Sequence, residues 1–113
     1  MSSTLYELNE ICLRNKDKFA LFYNEINKYI KNNELDKQLF VSITPKPEDY
    51  NELKSRIHTC DVPSNNCNKK SIYSFLTIDE IVRLSEEESV LYISRQSEAI
   101  LWTENKSRYQ RQH

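Results

Sequence analysis

Hydrophobic residues in the N-terminal third recur at alternating steps of three and four, the spacing of one face of an α-helix. A straight helix over 5–31 would be about 40 Å long, longer than a domain of this size is wide. We therefore favour a bend at residues 15–17, giving a helical hairpin or kink; the alternative is a projecting helix that pairs with a second subunit. The stripe, interrupted only at Asn15, consists of Leu5, Leu8, Cys12, Phe19, Phe22, Ile26 and Tyr29.

The middle of the chain changes from strand to helix and then to loop. Alternation and β-branching over 39–44 predict a strand. Pro45 and Pro47 then end the strand and open a short helix over 47–58. Residues 59–74 contain three Asn and three Ser together with Asp61 and Pro63, which predicts a flexible loop.

The C-terminal third begins with a helix signal. Thr77 and Glu80 have capping-box spacing, which predicts a helix from there to about Glu87. Apolar runs at 89–94 and 99–103 predict a β-hairpin, and since both faces of its strands are apolar, we expect both faces to be covered.

These elements predict an α+β fold, with N-terminal helices packed on a small antiparallel sheet that ends in the C-terminal hairpin. A single domain is expected over 1–104. The basic tail, 105–113, is expected to be disordered.

Composition narrows the function. The 113 residues contain no glycine and carry a formal net charge of -1. Phosphate cradles, dinucleotide fingerprints and nucleophile elbows need glycine, so these enzyme classes are excluded. The balanced charge provides no overall field for nucleic acid or an anionic membrane. We therefore expect a protein that is not an enzyme and uses no cofactor.

The N-terminus and the cysteines predict a cytoplasmic location. Residues 1–5 lack the basic and apolar regions of a secretory signal, and no apolar run approaches the length of a membrane span. No membrane association is expected, because no such apolar run is present. Three cysteines are an odd number for a disulfide framework, so reduced thiols are expected.

His58, Cys60 and Cys67 form weak candidates for a metal site. Three such ligands could hold zinc if Cys12, His113 or a carboxylate supplied the fourth. Their H-x-C-x6-C spacing matches no standard zinc motif, so we interpret the segment as a loop with incidental thiols and predict no metal. A Cys60–Cys67 disulfide is an open alternative.

DNA binding is the runner-up function. The inferred order of helix, strand, helix, helix and hairpin is that of a winged helix, and the tail offers Lys106, Arg108 and Arg111 for nucleic acid. The charged residues at the helix that would enter the groove are acidic apart from a lone Arg83, and phosphates repel such a face.

A series of short motifs in the C-terminal third forms a recognisable pattern. The segments are Leu76–Ile81, Arg83–Ser85, Glu86–Glu88, Val90–Ile93, Ala99–Leu101 and Lys106–Tyr109. With them, residues 76–109 resemble the C-terminal end of the type IV secretion coupling proteins, the hexameric ATPases that feed DNA and proteins into conjugation channels. Ile78, Ser85 and Glu98 depart from the pattern, because the family favours proline there. The family's phosphate-binding loop and acidic metal motif have no counterpart here, so the resemblance implies an accessory piece rather than a motor.

The leading hypothesis is a non-enzymatic protein-interaction module, an adaptor or inhibitor that docks on a larger machine. The resemblance implies that this machine is a secretion or DNA-transfer ATPase. Aromatic and arginine anchors on the hairpin, Tyr92, Arg95 and Trp102, are the candidate partner-binding residues. A monomer is expected, with a homodimer through the N-terminal helix as the alternative.

Overall fold

The structure is a computed structural model that describes residues 3–19, 21–60, 62 and 70–98. Within these ranges the chain forms four α-helices and a three-stranded antiparallel sheet, which confirms the α+β class. The predicted strand 99–103 and the tail 105–113 lie outside the described residues. The elements are α1 (Ser3–Arg14), α2 (Tyr23–Lys31), β1 (Gln38–Pro45), α3 (Tyr50–Arg56), β2 (Ile72–Thr77), α4 (Ile78–Leu84) and β3 (Val90–Arg95).

The predicted bend in the N-terminal helix is confirmed. A short 3-10 helix, Lys16–Phe19, separates α1 from α2, and the two α-helices contact each other as a hairpin. Phe19 is fully buried, and its ring meets that of Phe22 edge-on at a centroid distance of 5.8 Å. The aromatic pair therefore anchors the bend in the core.

Strand β1 is the centre of the sheet, in the order β2-β1-β3. One face of the sheet carries Leu39, Val41 and Ile43 into the main core, together with buried residues of all four helices. On the other face, Phe40 lies against Phe75 and Tyr73, with ring centroids 4.8 and 6.2 Å away. Alternate residues of β1 therefore serve two separate apolar clusters.

Strand β2 corrects the prediction of a loop over 59–74, because residues 72–74 lie in the sheet. Residues 58–60 run beside this strand: Cys60 N donates to Tyr73 O (2.7 Å), and Ser74 Oγ donates to His58 O (2.5 Å). The polar, Asn-containing composition before Ile72 hid the start of the strand. Residues 61 and 63–69 lie outside the described part.

The predicted winged-helix order of elements is wrong, because it lacked strand β2. Strand β2 stands between α3 and α4, so no tight turn joins these helices into a helix-turn-helix. The helix predicted over 47–58 is a 3-10 turn, Pro47–Asp49, followed by α3.

Helix α4 begins at the predicted capping box. Glu80 N donates to Thr77 Oγ1 (3.1 Å), and Thr77 N donates to a Glu80 carboxylate oxygen (2.9 Å). The helix ends at Leu84, before the predicted Glu87, and the Ser85 hydroxyl donates to Val82 O (2.5 Å). Both ends of this short helix are therefore satisfied within the chain.

Strand β3 contains a bulge. Thr44 lies opposite Tyr92, but the next residue of β1, Pro45, lies opposite Val90, so Leu91 is an extra residue. Val90 and Ile93 are buried, whereas Leu91 and Tyr92 are 45% and 46% exposed. The expectation that both faces of this strand are covered is therefore wrong for these two side chains.

No helix in the described ranges has the length and apolar character needed to cross a bilayer.

Candidate functional site

The connection between α4 and β3 binds basic side chains from three other elements. Lys18 Nζ donates to Ser85 O (2.9 Å) and Glu87 O (3.1 Å), so its ammonium takes carbonyls just beyond the end of α4. Arg14 at the end of α1 pairs with Glu86, and Arg56 at the end of α3 pairs with Glu87 at 2.5 Å. The carboxylates of Glu86 and Glu87 therefore bind α1 and α3 to this connection, and its backbone carbonyls bind Lys18 of the 3-10 helix Lys16–Phe19.

The other described arginines are paired as well. Arg83 binds Asp79 at 2.9 Å, one helical turn back, and lies 3.6 Å from Glu7 of α1. Hydrogen bonds with Glu87 and then Glu52 raise the pKa of Arg56, and a hydrogen bond with Asp79 raises that of Arg83. Arg14, Arg56, Arg83 and Arg95, the arginines of the described ranges, all face carboxylates within the chain.

The bulge of β3 presents the opposite kind of surface. Leu91 and Tyr92 are consecutive large apolar residues, each nearly half exposed, on a strand fixed by its pairing with β1. Between the buried Val90 and Ile93, neither side chain can turn inward without breaking the register. The two side chains therefore form a small exposed apolar surface held in place by β3.

An apolar cleft of about 420 Å³ lies beside Leu91. Pro45, Pro47, Tyr50 and Leu91 are the apolar and aromatic residues of its lining. Thr44, whose hydroxyl is hydrogen-bonded to Ser71 Oγ at 3.1 Å, also belongs to the lining and lies opposite Tyr92 in the β1–β3 ladder. The lining consists of Thr44, Pro45, Pro47, Tyr50, Asn51, Lys70 and Leu91.

The structure separates the predicted partner-binding residues. Tyr92 lies opposite Thr44, on the sheet face turned away from the main core, whereas Arg95 lies opposite Val41, on the helix-covered face. Arg95 pairs there with Glu25 of α2, beside a more open and polar cleft of about 620 Å³. Trp102 lies outside the described residues, as do Lys106, Arg108 and Arg111, the nucleic-acid candidates.

The weak metal candidates are only partly placed. His58 is exposed and Cys60 half-buried in the segment beside β2, while Cys67 lies outside the described part. No group of three His, Cys, Asp or Glu side chains that could hold a metal occurs within the described ranges. Cys12, considered as a fourth ligand, is buried in the main core, where desolvation raises the pKa of its thiol to about 12 and keeps it protonated.

Sequence reasoning missed Leu91, Pro45, Pro47 and Tyr50 as members of one surface. Pro45 is the one signal that could have indicated it, because proline inside a sheet is confined to edges, strand starts and bulges. Without an N–H, Pro45 cannot donate to β3, and the bulge lies at this position.

The chain matches no protein-family model, and comparisons with curated proteins and with solved structures also give no match. The geometry of the described residues is therefore the basis for a functional proposal.

Proposed function

We propose that this chain is a non-enzymatic protein-interaction module, an adaptor or inhibitor, that docks on a larger machine through Leu91, Tyr92 and the adjoining apolar cleft. The observation that carries the proposal is the bulge in β3, which holds two consecutive apolar side chains outward beside that cleft. Covering such a surface with a partner removes apolar area from water at little cost in side-chain ordering.

The pairing of the described arginines argues against a phosphate-binding surface built on these four residues. Each of the four described arginines would have to leave an intramolecular carboxylate before it could bind a phosphate. Nucleic-acid affinity depends on such cation–phosphate contacts. Leu91 and Tyr92 can be covered without breaking any ion pair of the described region.

The resemblance of residues 76–109 to coupling proteins suggests which machine to test first, a secretion or DNA-transfer ATPase. The proposal includes a cytoplasmic location and a monomeric chain. The free thiols of Cys12 and Cys60 support the location. The bend between α1 and α2 supports the monomer, because it replaces the long helix that would have paired with a second copy.

The test measures how tightly the wild type, a surface variant and a control variant bind a partner of the chain. A tagged chain captures partners from its host, and a captured protein is identified, purified and titrated against the wild type and against the Leu91→Ser/Tyr92→Ser variant. Because hot-spot residues contribute at least about 2 kcal/mol, the variant should bind at least about 30-fold more weakly. Leu21→Ser is the control, since Leu21 is fully exposed in the turn before α2.

Two results would contradict the proposal. One is unchanged affinity of the Leu91→Ser/Tyr92→Ser variant, with its fold verified by circular dichroism. The other is salt-sensitive binding of the chain to random duplex DNA that disappears when Lys106, Arg108 and Arg111 are replaced by alanine. The second result would favour the DNA-binding alternative.

A further inference from the structure

We infer that one face of α2, called here the lysine face, binds an acidic segment of a protein partner. Three features indicate this second docking site: how α2 ends, what its lysines contact, and which charges surround them. The site goes beyond the proposed function, because it shares no residue with Leu91, Tyr92 or the apolar cleft. The lysine face consists of Asn24, Asn27, Lys28, Lys31 and Asn32.

Main-chain N–H groups close the C-terminal end of α2. Asn33 takes the left-handed conformation, with a φ of 56°, and its N–H donates to Ile30 O (3.0 Å). The following N–H, that of Glu34, donates to Tyr29 O (2.8 Å). These two hydrogen bonds form a Schellman motif, with asparagine at the position where glycine is usual. Lysine side chains are therefore not needed to bind these carbonyls at the end of α2.

The two lysines of this helix end keep their charges available. At the end of α4, Lys18 donates to two carbonyls. The ammonium groups of Lys28 and Lys31 make no hydrogen bond or ion pair within the part of the chain that the structure describes. Both side chains are exposed, and since they are three positions apart on a helix, they are neighbours on its surface. The four described arginines, in contrast, all face carboxylates.

An open cleft of about 310 Å³ joins the two lysines to the three asparagines of the lysine face. Each ammonium can donate three hydrogen bonds and each amide two, and the lining contains no carboxylate. An ionised carboxylate only accepts hydrogen bonds, so it matches this lining in charge and in hydrogen bonding. The lysine face is therefore complementary to acidic side chains.

The charges beside the lysine face favour a short acidic segment of a protein over a nucleic acid. Glu25 lies on the same helix, where it pairs with Arg95, and Glu34 is exposed directly after the end of α2. Neither carboxylate lines the cleft. A phosphate backbone carries a charge at every nucleotide and would meet these carboxylates as it leaves the cleft. A short run of acidic residues can end before it reaches them.

The experiment titrates the isotope-labelled full chain with two synthetic peptides of equal length and follows the backbone amide signals by NMR. One peptide carries a central run of glutamates, and the other carries glutamines at the same positions. At low salt the glutamate peptide should shift the signals of α2 and bind at least about fivefold more tightly than the glutamine peptide. Added salt should reduce this preference, because the groups involved are exposed.

Neutral variants locate the preference. Lys28→Gln/Lys31→Gln removes both charges and should abolish the preference for the glutamate peptide. Lys54→Gln/Lys70→Gln makes the same change in charge at exposed positions outside the lysine face and should leave the preference unchanged. Circular dichroism and urea unfolding verify that each variant is folded.

Four results would overturn the inference: equal affinity for the two peptides, no binding of the glutamate peptide at ~1 mM, signal shifts confined to residues outside α2, or a preference that survives Lys28→Gln/Lys31→Gln. A single-stranded oligonucleotide of random sequence is a further probe. If it binds the lysine face more tightly than the glutamate peptide does, the ligand is a nucleic acid and the acidic protein segment is wrong.

The Leu91→Ser/Tyr92→Ser variant separates this site from the surface in the proposed function. It should bind the glutamate peptide as the wild type does, because neither residue belongs to the lysine face. A loss of peptide binding in this folded variant would place the acidic segment at the bulge of β3 and overturn the inference.

Discussion

A short stretch of chain separates the α4–β3 connection, residues 85–87, from the bulge at Leu91 and Tyr92. The charged side chains of the connection are paired with other parts of the fold, whereas the apolar side chains of the bulge are partly exposed to solvent. In the connection, Glu86 and Glu87 pair with arginines of α1 and α3, and Lys18 takes two carbonyls. At the bulge, two apolar side chains are turned away from the main core. The first region has its charged groups paired within the fold, whereas the second leaves apolar area exposed to solvent.

The contrast between the two regions shows that exposed charged residues alone do not identify a binding surface. Exposed ion pairs add little to stability, but they do neutralise a surface that would otherwise attract charged ligands. An exposed apolar side chain has no comparable internal partner, and its burial is favourable whenever a complementary surface arrives.

The largest expected effect contrasts two residues of β3. Ile93→Ala should lower the free energy of unfolding by about 2–5 kcal/mol, because Ile93 is fully buried in the main core. Leu91→Ala, two residues earlier, should change it by less than about 0.5 kcal/mol. Urea unfolding measures both. A large cost for Leu91→Ala would mean that this side chain stabilises the fold, which would remove the contrast between the regions.

The next effect concerns the cation at the end of α4. Lys18→Met keeps the aliphatic stem but removes the donor to Ser85 O and Glu87 O, so it should cost about 1.5–3 kcal/mol. Lys28→Met, at an exposed position of α2, is the matched control and should be nearly neutral. If the two substitutions cost the same, the connection does not depend on Lys18.

Removing the cap at the N-terminus of α4 should lower the free energy of unfolding by less than the Lys18 substitution does. Thr77→Ala removes the hydroxyl that accepts from Glu80 N and should cost about 1 kcal/mol in urea unfolding. Thr77→Ser keeps the acceptor and serves as the control. An unchanged free energy of unfolding in Thr77→Ala would show that the capping box contributes nothing to α4.

The smallest effect belongs to the pair of Arg14 and Glu86, whose side chains are 59% and 39% exposed. A double-mutant cycle with Arg14→Gln and Glu86→Gln should give a coupling energy below about 1 kcal/mol that decreases with added salt. Coupling above that value would mean that this pair stabilises the connection to a degree that exposed pairs seldom reach.

Sequence patterns predicted the features that depend on neighbouring residues. The capping box needs only Thr77 and Glu80 three positions apart, and the bend at 15–17 follows from a stripe too long for one domain. The β1 strand was predicted by its alternation, and the structure adds Gln38 and Pro45 at its ends.

Features that depend on distant residues were not predicted. Strand β2 directly follows an Asn-rich segment, and its pairing with β1 decides its structure more than its composition does. The exposure of Leu91 depends on a register shift opposite Pro45, and the partners of Glu86 and Glu87 come from α1 and α3. No local pattern in β3 or in the acidic run specifies these contacts.

The position of β1 at the centre of the sheet has a consequence for synthesis on the ribosome. The central strand is made first, while both of its neighbours, β2 and β3, lie later in the chain. The apolar residues of β1 therefore leave the ribosome before either ladder can form, and residues 46–71 must be added before β2 begins. During that interval the nascent chain carries an unpaired apolar strand, the kind of segment that chaperones bind and that aggregates when folding is delayed.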